Sequence, residues 1–270
     1  MSVLIAPRYA PGGAILPLEH ARILHSGGWP AGGTVAASSS ATGSDPAAPL
    51  SDRPSERWSP GVVPATWELD FGSPVPVDCC GIAAHQLDGF SIWVEYFDTG
   101  SGLWVSAHSG AISGDGAIMV LFPEVTAARW RIRIEGGAGL PAIGWVRFGR
   151  ALQMETRSRY PGRIPLALAE LPVLTGAAAS SGEFLARRRI SATRPLTFEW
   201  MHLTEAWVRA NVGALLDGIS VAPFLIADRP GTHPEDVALC YFAGSRPRPA
   251  ASGAMDLHDL TLSATGYVAP

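Results

Sequence analysis

No lysine occurs among the 270 residues; all 20 basic side chains are arginine. Arginine keeps its charge and offers a planar, bidentate donor fork, so it suits ordered contacts better than a mobile solvated surface. Charge is scarce altogether. Charged residues make up 16% against 47% apolar, which excludes a disordered or heavily solvated chain. The formal net charge is −4, so no basic field exists to neutralise phosphates, and nucleic-acid recognition is not expected. Cysteine is limited to three residues, two of them adjacent (Cys79 and Cys80), and neighbours in a strand point to opposite faces. That spacing offers neither a disulfide framework nor paired zinc ligands, and it fits folding in a reducing cytoplasm. No apolar run approaches the roughly 20 residues of a membrane helix, so membrane insertion is not expected. The start, Met1 to Pro7, shows neither the basic nor the long apolar region of a signal peptide.

What is present reads mostly as strands. Residues 1 to about 33 are rich in Gly, Pro and Ala and read as an extended entry segment, with a short apolar stretch at Ala21 to Leu24. Residues 36–66 form a polar, small-residue loop pinned by Leu50 and Trp58. Thr66 to Phe71 alternates, placing Trp67, Leu69 and Phe71 on one face. The run from Gly72 to Pro76 breaks that pattern, and Val77 to Ala84 is almost continuously apolar. Ser91 to Phe97 and Leu103 to Ala107 predict a hairpin about the turn Asp98–Gly102. A short strand is expected at Ala117 to Pro123. Ala128 to Ile134 alternates strictly, with Trp130, Ile132 and Ile134 inward and Arg129, Arg131 and Arg133 on the other face, read as a solvated ladder with a ligand site as the alternative. Ala142 to Arg150 closes a first unit, residues 1–150.

The second unit, 151–270, opens with extended segments at 154–163 and 164–174 and a loop tip at Ala177–Gly182. Phe184 to Ala192 carries the run Arg187, Arg188, Arg189, either a solvated charge run or a seat for acidic groups of a neighbouring subunit. Pro195 precedes the strand Leu196 to Trp200. One helix is expected at about 203–217, with Thr204 as N-cap, a stripe of Leu203, Trp207, Ala210 and Ala214, and Gly218 as C-cap. Strands at 221–227, 237–243 and 257–268 complete an all-β chain of two sandwich- or barrel-like units.

Five features in order resemble the discoidin, or factor five/eight C-terminal, family of galactose-binding-like domains over about residues 34–150. They are Leu50-x-Asp52 leading to Trp58, the strand Thr66–Gly72, the buried strand around Gly81, the Ser91–Trp104 hairpin, and Phe122 to Arg133 with its Ala128-Arg-Trp-Arg core. The resemblance implies an N-terminal jelly-roll β-sandwich. It also implies a structural calcium at the loop of Asp52, where this chain has Arg53-Pro54 instead of the family's Gly; a turn-stabilising carboxylate is the alternative. The second unit, with its helix followed by Val221–Ile226 and Pro234–Tyr241, is more loosely similar to the ring-forming β-sandwich of phage tail-tube and distal-tail proteins. Those proteins usually place the ring domain first, so the order here is reversed.

No Gly-x-Ser-x-Gly elbow, phosphate-cradling loop or His-Glu-x-x-His motif occurs, so neither catalysis nor a cofactor is expected. Asp256 and His258 would share a strand face as a metal pair, against the commoner solvated edge. Trp29, between Gly28 and Pro30, reads as the exposed loop aromatic suited to stacking on a sugar, together with Arg187, Arg188 and Arg189 as a candidate ligand or interface set. These features lead to the expectation of a siphovirus-like tail-tip component in the virion, assembled in the bacterial host cytoplasm. It would form a ring, hexameric rather than trimeric, beside neighbouring tail proteins, with the first unit projecting outward. The alternative is a carbohydrate-binding module that contacts a host-surface glycan.

Overall fold

A computed structural model describes residues 3–6, 18–159, 164–252 and 256–268. Its strands are β1 (Val3–Ile5), β2 (Arg22–Leu24), β3 (Thr34–Ala37), β4 (Ala65–Ala83), β5 (Phe90–Asp98), β6 (Leu103–Ala111), β7 (Ile118–Gly136), β8 (Trp145–Gly149), β9 (Leu152–Gln153), β10 (Leu171–Ala178), β11 (Phe184–Thr204), β12 (Phe224–Arg229), β13 (His233–Phe242), β14 (Ala250–Ala251) and β15 (Leu257–Gly266). Among the described residues there is one α-helix, α1 (Glu205–Val221). The chain is all-β, in two sheets. The first runs β3-β4-β7-β5-β6, with β1 on β7 and β8 on β4; the second runs β10-β11-β15-β13-β12-β2-β9, with β14 on β15.

Several strands run longer than the sequence pattern predicts, β4 and β7 among them. β4 runs straight through the expected break at 72–76, and β7 joins the segments 117–123 and 128–134. The chain bends there instead of stopping. Gly72 adopts φ 74°, a conformation glycine takes without strain, and the pairing of β4 with β7 shifts between Asp70 and Val75. The two halves of each strand thereby line one core. Trp67, Leu69, Trp130, Ile132 and Ile134 come from one half, and Cys80, Ile82, Val120 and Phe122 from the other.

The almost continuous apolar run at 77–84 has its cause in a second core. Cys80 and Ile82 face the sandwich interior, whereas Cys79 and Ala83, with Met119, Leu121 and Trp145, face Leu24, Leu225, Ala227, Val237 and Leu239 of the second sheet. A strand buried on both faces loses its polar alternation. All three cysteines are buried and free.

β2 lies where the sequence did not place it. The boundary drawn at 150/151 assigns it to the first unit, but Ile23 pairs with Ile226 and Leu24 with Leu225 on β12, and Ile23 pairs with Leu152 on β9. Apart from β1, which pairs with β7, the first unit is therefore inserted between two neighbouring strands of the second sheet. Such long-range pairing leaves no local trace in a three-residue segment.

Helix α1 starts as expected, with the Thr204 Oγ1 accepting from the Trp207 amide at 3.3 Å. Its end is different. Gly218 lies inside the helix, which continues to Val221. A Cβ at position 218 would sit 2.5 Å from Nδ1 of His25, so this glycine serves close packing instead of termination. The buried stripe is Val212, Leu215, Leu216 and Ile219, whereas the expected stripe members Ala210 and Ala214 are exposed. No helix among the described residues is long and apolar enough to cross a membrane.

Candidate functional site

The outer face of the first sheet gathers side chains from four strands. Register sets Arg131 between Glu68 on β4 and Glu95 on β5, and Arg133 beside Trp93; on the hairpin Phe97 stands opposite Trp104 of β6. Alternation with period two then sends all of these outward. Arg131 Nε donates to Glu95 at 2.6 Å, and its guanidinium lies 4.2 Å from the centre of the Trp104 ring. The Arg133 guanidinium lies 4.0 Å over Trp93 and pairs with Glu95 at 3.4 Å and with Glu135. Arg129 covers Phe97 at 4.7 Å and reaches Glu68 at 3.4 Å. Phe97 and Trp104 meet edge to face at 5.5 Å.

The solvated arginine ladder expected from the sequence is thus embedded. The Arg131 side chain is only 18% exposed and Glu95 only 7%. Fixed guanidinium planes stacked on aromatic rings are a stronger arrangement than free surface charge. The face carries three arginines, three glutamates and Asp70 beside Arg129, and spans four strands, about 14 Å between the outer two at the usual strand spacing. Trp93 and Trp104 were visible in the sequence only as hairpin residues. The signal that finds them is the hairpin register, which puts Trp104 level with Phe97.

The loop of Asp52 already holds a cation. The Arg147 guanidinium, buried beneath it, donates to the carbonyls of Pro49 (3.0 Å), Leu50 (2.6 Å) and Ser51 (3.4 Å) and to the Asp52 carboxylate (3.0 Å). This carbonyl-plus-carboxylate set is the one a calcium ion would use, and a guanidinium occupies it. The residues do not fit a metal ion. Asp52 is a partner of Arg147.

Trp29 is half-buried, contrary to the expected exposed platform. Its ring packs edge-on to Trp145 at 5.9 Å, with the Arg147 guanidinium 5.4 Å from its centre. Beside it lies a cavity of about 150 Å³ lined by Trp29, Gly32, Phe71, Arg147 and Phe148. The Arg147 donors that border it are already spent on the Asp52 loop.

Arg187, Arg188 and Arg189 are exposed on β11, far along the chain from Trp29; Arg189 pairs with Glu170 at the strand base. Asp256 and His258 do not form a pair. Asp256 turns out of the strand at φ 53°, and its carbonyl caps the amide of Glu205. Among the described residues no cluster of three or more His, Cys, Asp or Glu could hold a metal ion.

No family model matches the chain, and no curated protein matches it. Solved structures do. Chitosan-binding module 1 of a chitosanase/glucanase from Paenibacillus sp. IK-5 is similar at 18% identity and TM-score 0.41, over 47% of this chain and 98% of that module. The CBM32 of AlyQ, solved with 4,5-unsaturated mannuronic acid, is similar at 21% identity and TM-score 0.37, over 43% of this chain and 92% of that one. A Ruminococcus gnavus GH29 fucosidase is similar at 21% identity and TM-score 0.39, over 45% of this chain and 26% of the enzyme. Each likeness spans less than half of the present chain.

Proposed function

We propose that this chain is a non-catalytic carbohydrate-binding protein that receives a glycan on the arginine–aromatic face of its first unit. The observation that carries this is the fixed trio of Arg131, Trp104 and Glu95. A pyranose offers an apolar C–H face and a rim of hydroxyls. Aromatic edges beside preset charged donors and acceptors meet both needs, and groups already held in place lose little entropy on binding. Near-balanced charge favours neutral sugars, and an open sheet face favours an internal stretch of chain over a buried terminal residue.

A glycan array followed by calorimetry tests this. Trp104→Ala is expected to weaken binding at least tenfold, with thermal stability checked in parallel, while Trp29→Ala leaves it unchanged. The reverse result would move the site to the Trp29 cavity, and a wild-type chain that retains no glycan would sink the reading.

A second reading, a ring-forming component of a bacteriophage tail tip with the first unit turned toward the host surface, is favoured by the projecting hairpin of β10 and β11. Antibody labelling of virions in electron micrographs tests it; a particle that lacks the chain overturns it.

A further inference from the structure

β10 and the first part of β11 form a two-stranded ribbon that nothing else in the described chain covers. Leu171, Leu174, Phe184, Leu185 and Ile190 are all exposed, Phe184 by 68%. Both long edges are open. Among the described residues β10 pairs only with β11, and residues 184–193 of β11 pair only with β10, because β15 ends with Gly266 opposite Arg194. An isolated two-stranded ribbon is marginal in water, and exposed edges are normally blunted by charge. β10 carries no charged residue, whereas β11 carries Arg187, Arg188 and Arg189. Glu170 at the base binds both Arg189 and Arg194 and holds the ribbon's direction.

We infer that the ribbon joins copies of this chain head to tail, β10 of one copy pairing antiparallel with residues 184–193 of the next. The two edges match in length and run in opposite directions, so a second ribbon continues the order β11-β10-β11-β10 without a break. Charge selects this pairing over its alternatives. Setting β11 against β11 would oppose two arginine runs, and like charges directly opposite destabilise a sheet. Setting β10 against β10 would leave both arginine edges open. Alternation places each arginine strand between two neutral ones. The contact is heterologous, so it closes into a ring or grows on. It supplies the contact that the tail-tip reading needs and is independent of whether the first unit binds a glycan.

The test is light scattering on the full chain over a concentration series. The wild type is expected to rise from 28.4 kDa to higher multiples. Val173→Arg, which puts charge on the neutral edge, should weaken association at least tenfold. Val221→Arg, more exposed than Val173 and at the end of α1, should leave it unchanged. Hydrogen exchange on the wild type should show amides of 171–178 and 184–193 gaining protection as concentration rises, a readout that does not depend on any variant folding. A monomer at every concentration would overturn the proposal, as would assembly that halts at two chains or equal loss in both variants. A monomer whose Arg187–Arg189 segment captures a poly-glutamate peptide would instead make the ribbon a dock for an acidic partner, and the self-pairing would be wrong.

Discussion

Arg147 reaches three successive carbonyls and one carboxylate from beneath a loop that lies 95 residues away in sequence. Replacing it with Met keeps the volume and removes every donor. Truncating one side of a buried, charge-assisted network costs about 3 kcal/mol, so Arg147→Met should lower denaturant-unfolding stability by that amount. A chelator should leave the wild-type midpoint where it is; a fall on adding one would show that a metal shares the loop. The sequence Asp52-Arg53-Pro54 already spoke against the calcium that the family resemblance implies, but it could not name the replacement, since nothing local links Arg147 to the loop. Titration follows the same scale. Burial pushes the pKa of His25 down to about 4, so its neutral form stabilises the fold fully above the ordinary value of 6.5, and that contribution is lost as pH falls toward 4. Burial pushes Asp78 up to about 6, so the folded chain takes up protons there first and gains stability as pH falls through the window from 6 to 4. The two oppose each other. Asp78→Asn should therefore steepen the loss of stability on acidification from pH 6 to pH 4, measured by thermal unfolding across that range.

Elements were legible in kind more than in extent. The hairpin at 98–102 formed as its Asp and glycines predict, with Asp98 accepting from the amides of Gly100 and Ser101 and Gly102 at φ 69°. Thr204 capped α1. The breaks expected at 72–76 and at Pro195 lie inside long strands, because pairing partners on each side outweigh a local breaker signal. Gly218 is the informative miss. A glycine near the end of an amphipathic run reads as a stop, yet here it lets α1 approach the 25–27 turn, where Ser26 Oγ donates to its carbonyl at 3.0 Å. Helix propensity alone predicts a gain of about 1 kcal/mol for Gly218→Ala. The close approach to His25 predicts the opposite, a loss of about 1–3 kcal/mol from overpacking. Chemical denaturation of that single variant separates the two.

The whole molecule is organised by the apolar layer between its sheets. Gly81 sits at its centre, where a Cβ would lie 2.9 Å from side-chain carbons of Leu24, Leu225 and Trp145. Gly81→Ala should therefore cost about 1–3 kcal/mol and broaden the unfolding transition as the two sheets separate. The sequence showed the 77–84 strand as an almost continuous apolar run, broken only by Asp78, but it held no sign of what covers its second side. That partner includes β2, three residues too short to carry a pattern. The insertion has a consequence of its own. The chain leaves the second sheet after β2 and returns to it at β9, and the Arg150 amide closes the stem on the Gly28 carbonyl at 2.8 Å. Entry and exit lie at one point, between strands that are already neighbours. Exchanging the head between residues 28 and 150 cuts no pairing of the sheet below, but it removes β7, the partner of β1, which precedes the stem. What each new head must bring is a greasy underside to cover Leu24, Leu225, Val237 and Leu239 and a strand edge for β1, so the lower sheet sets the terms on which any head fits.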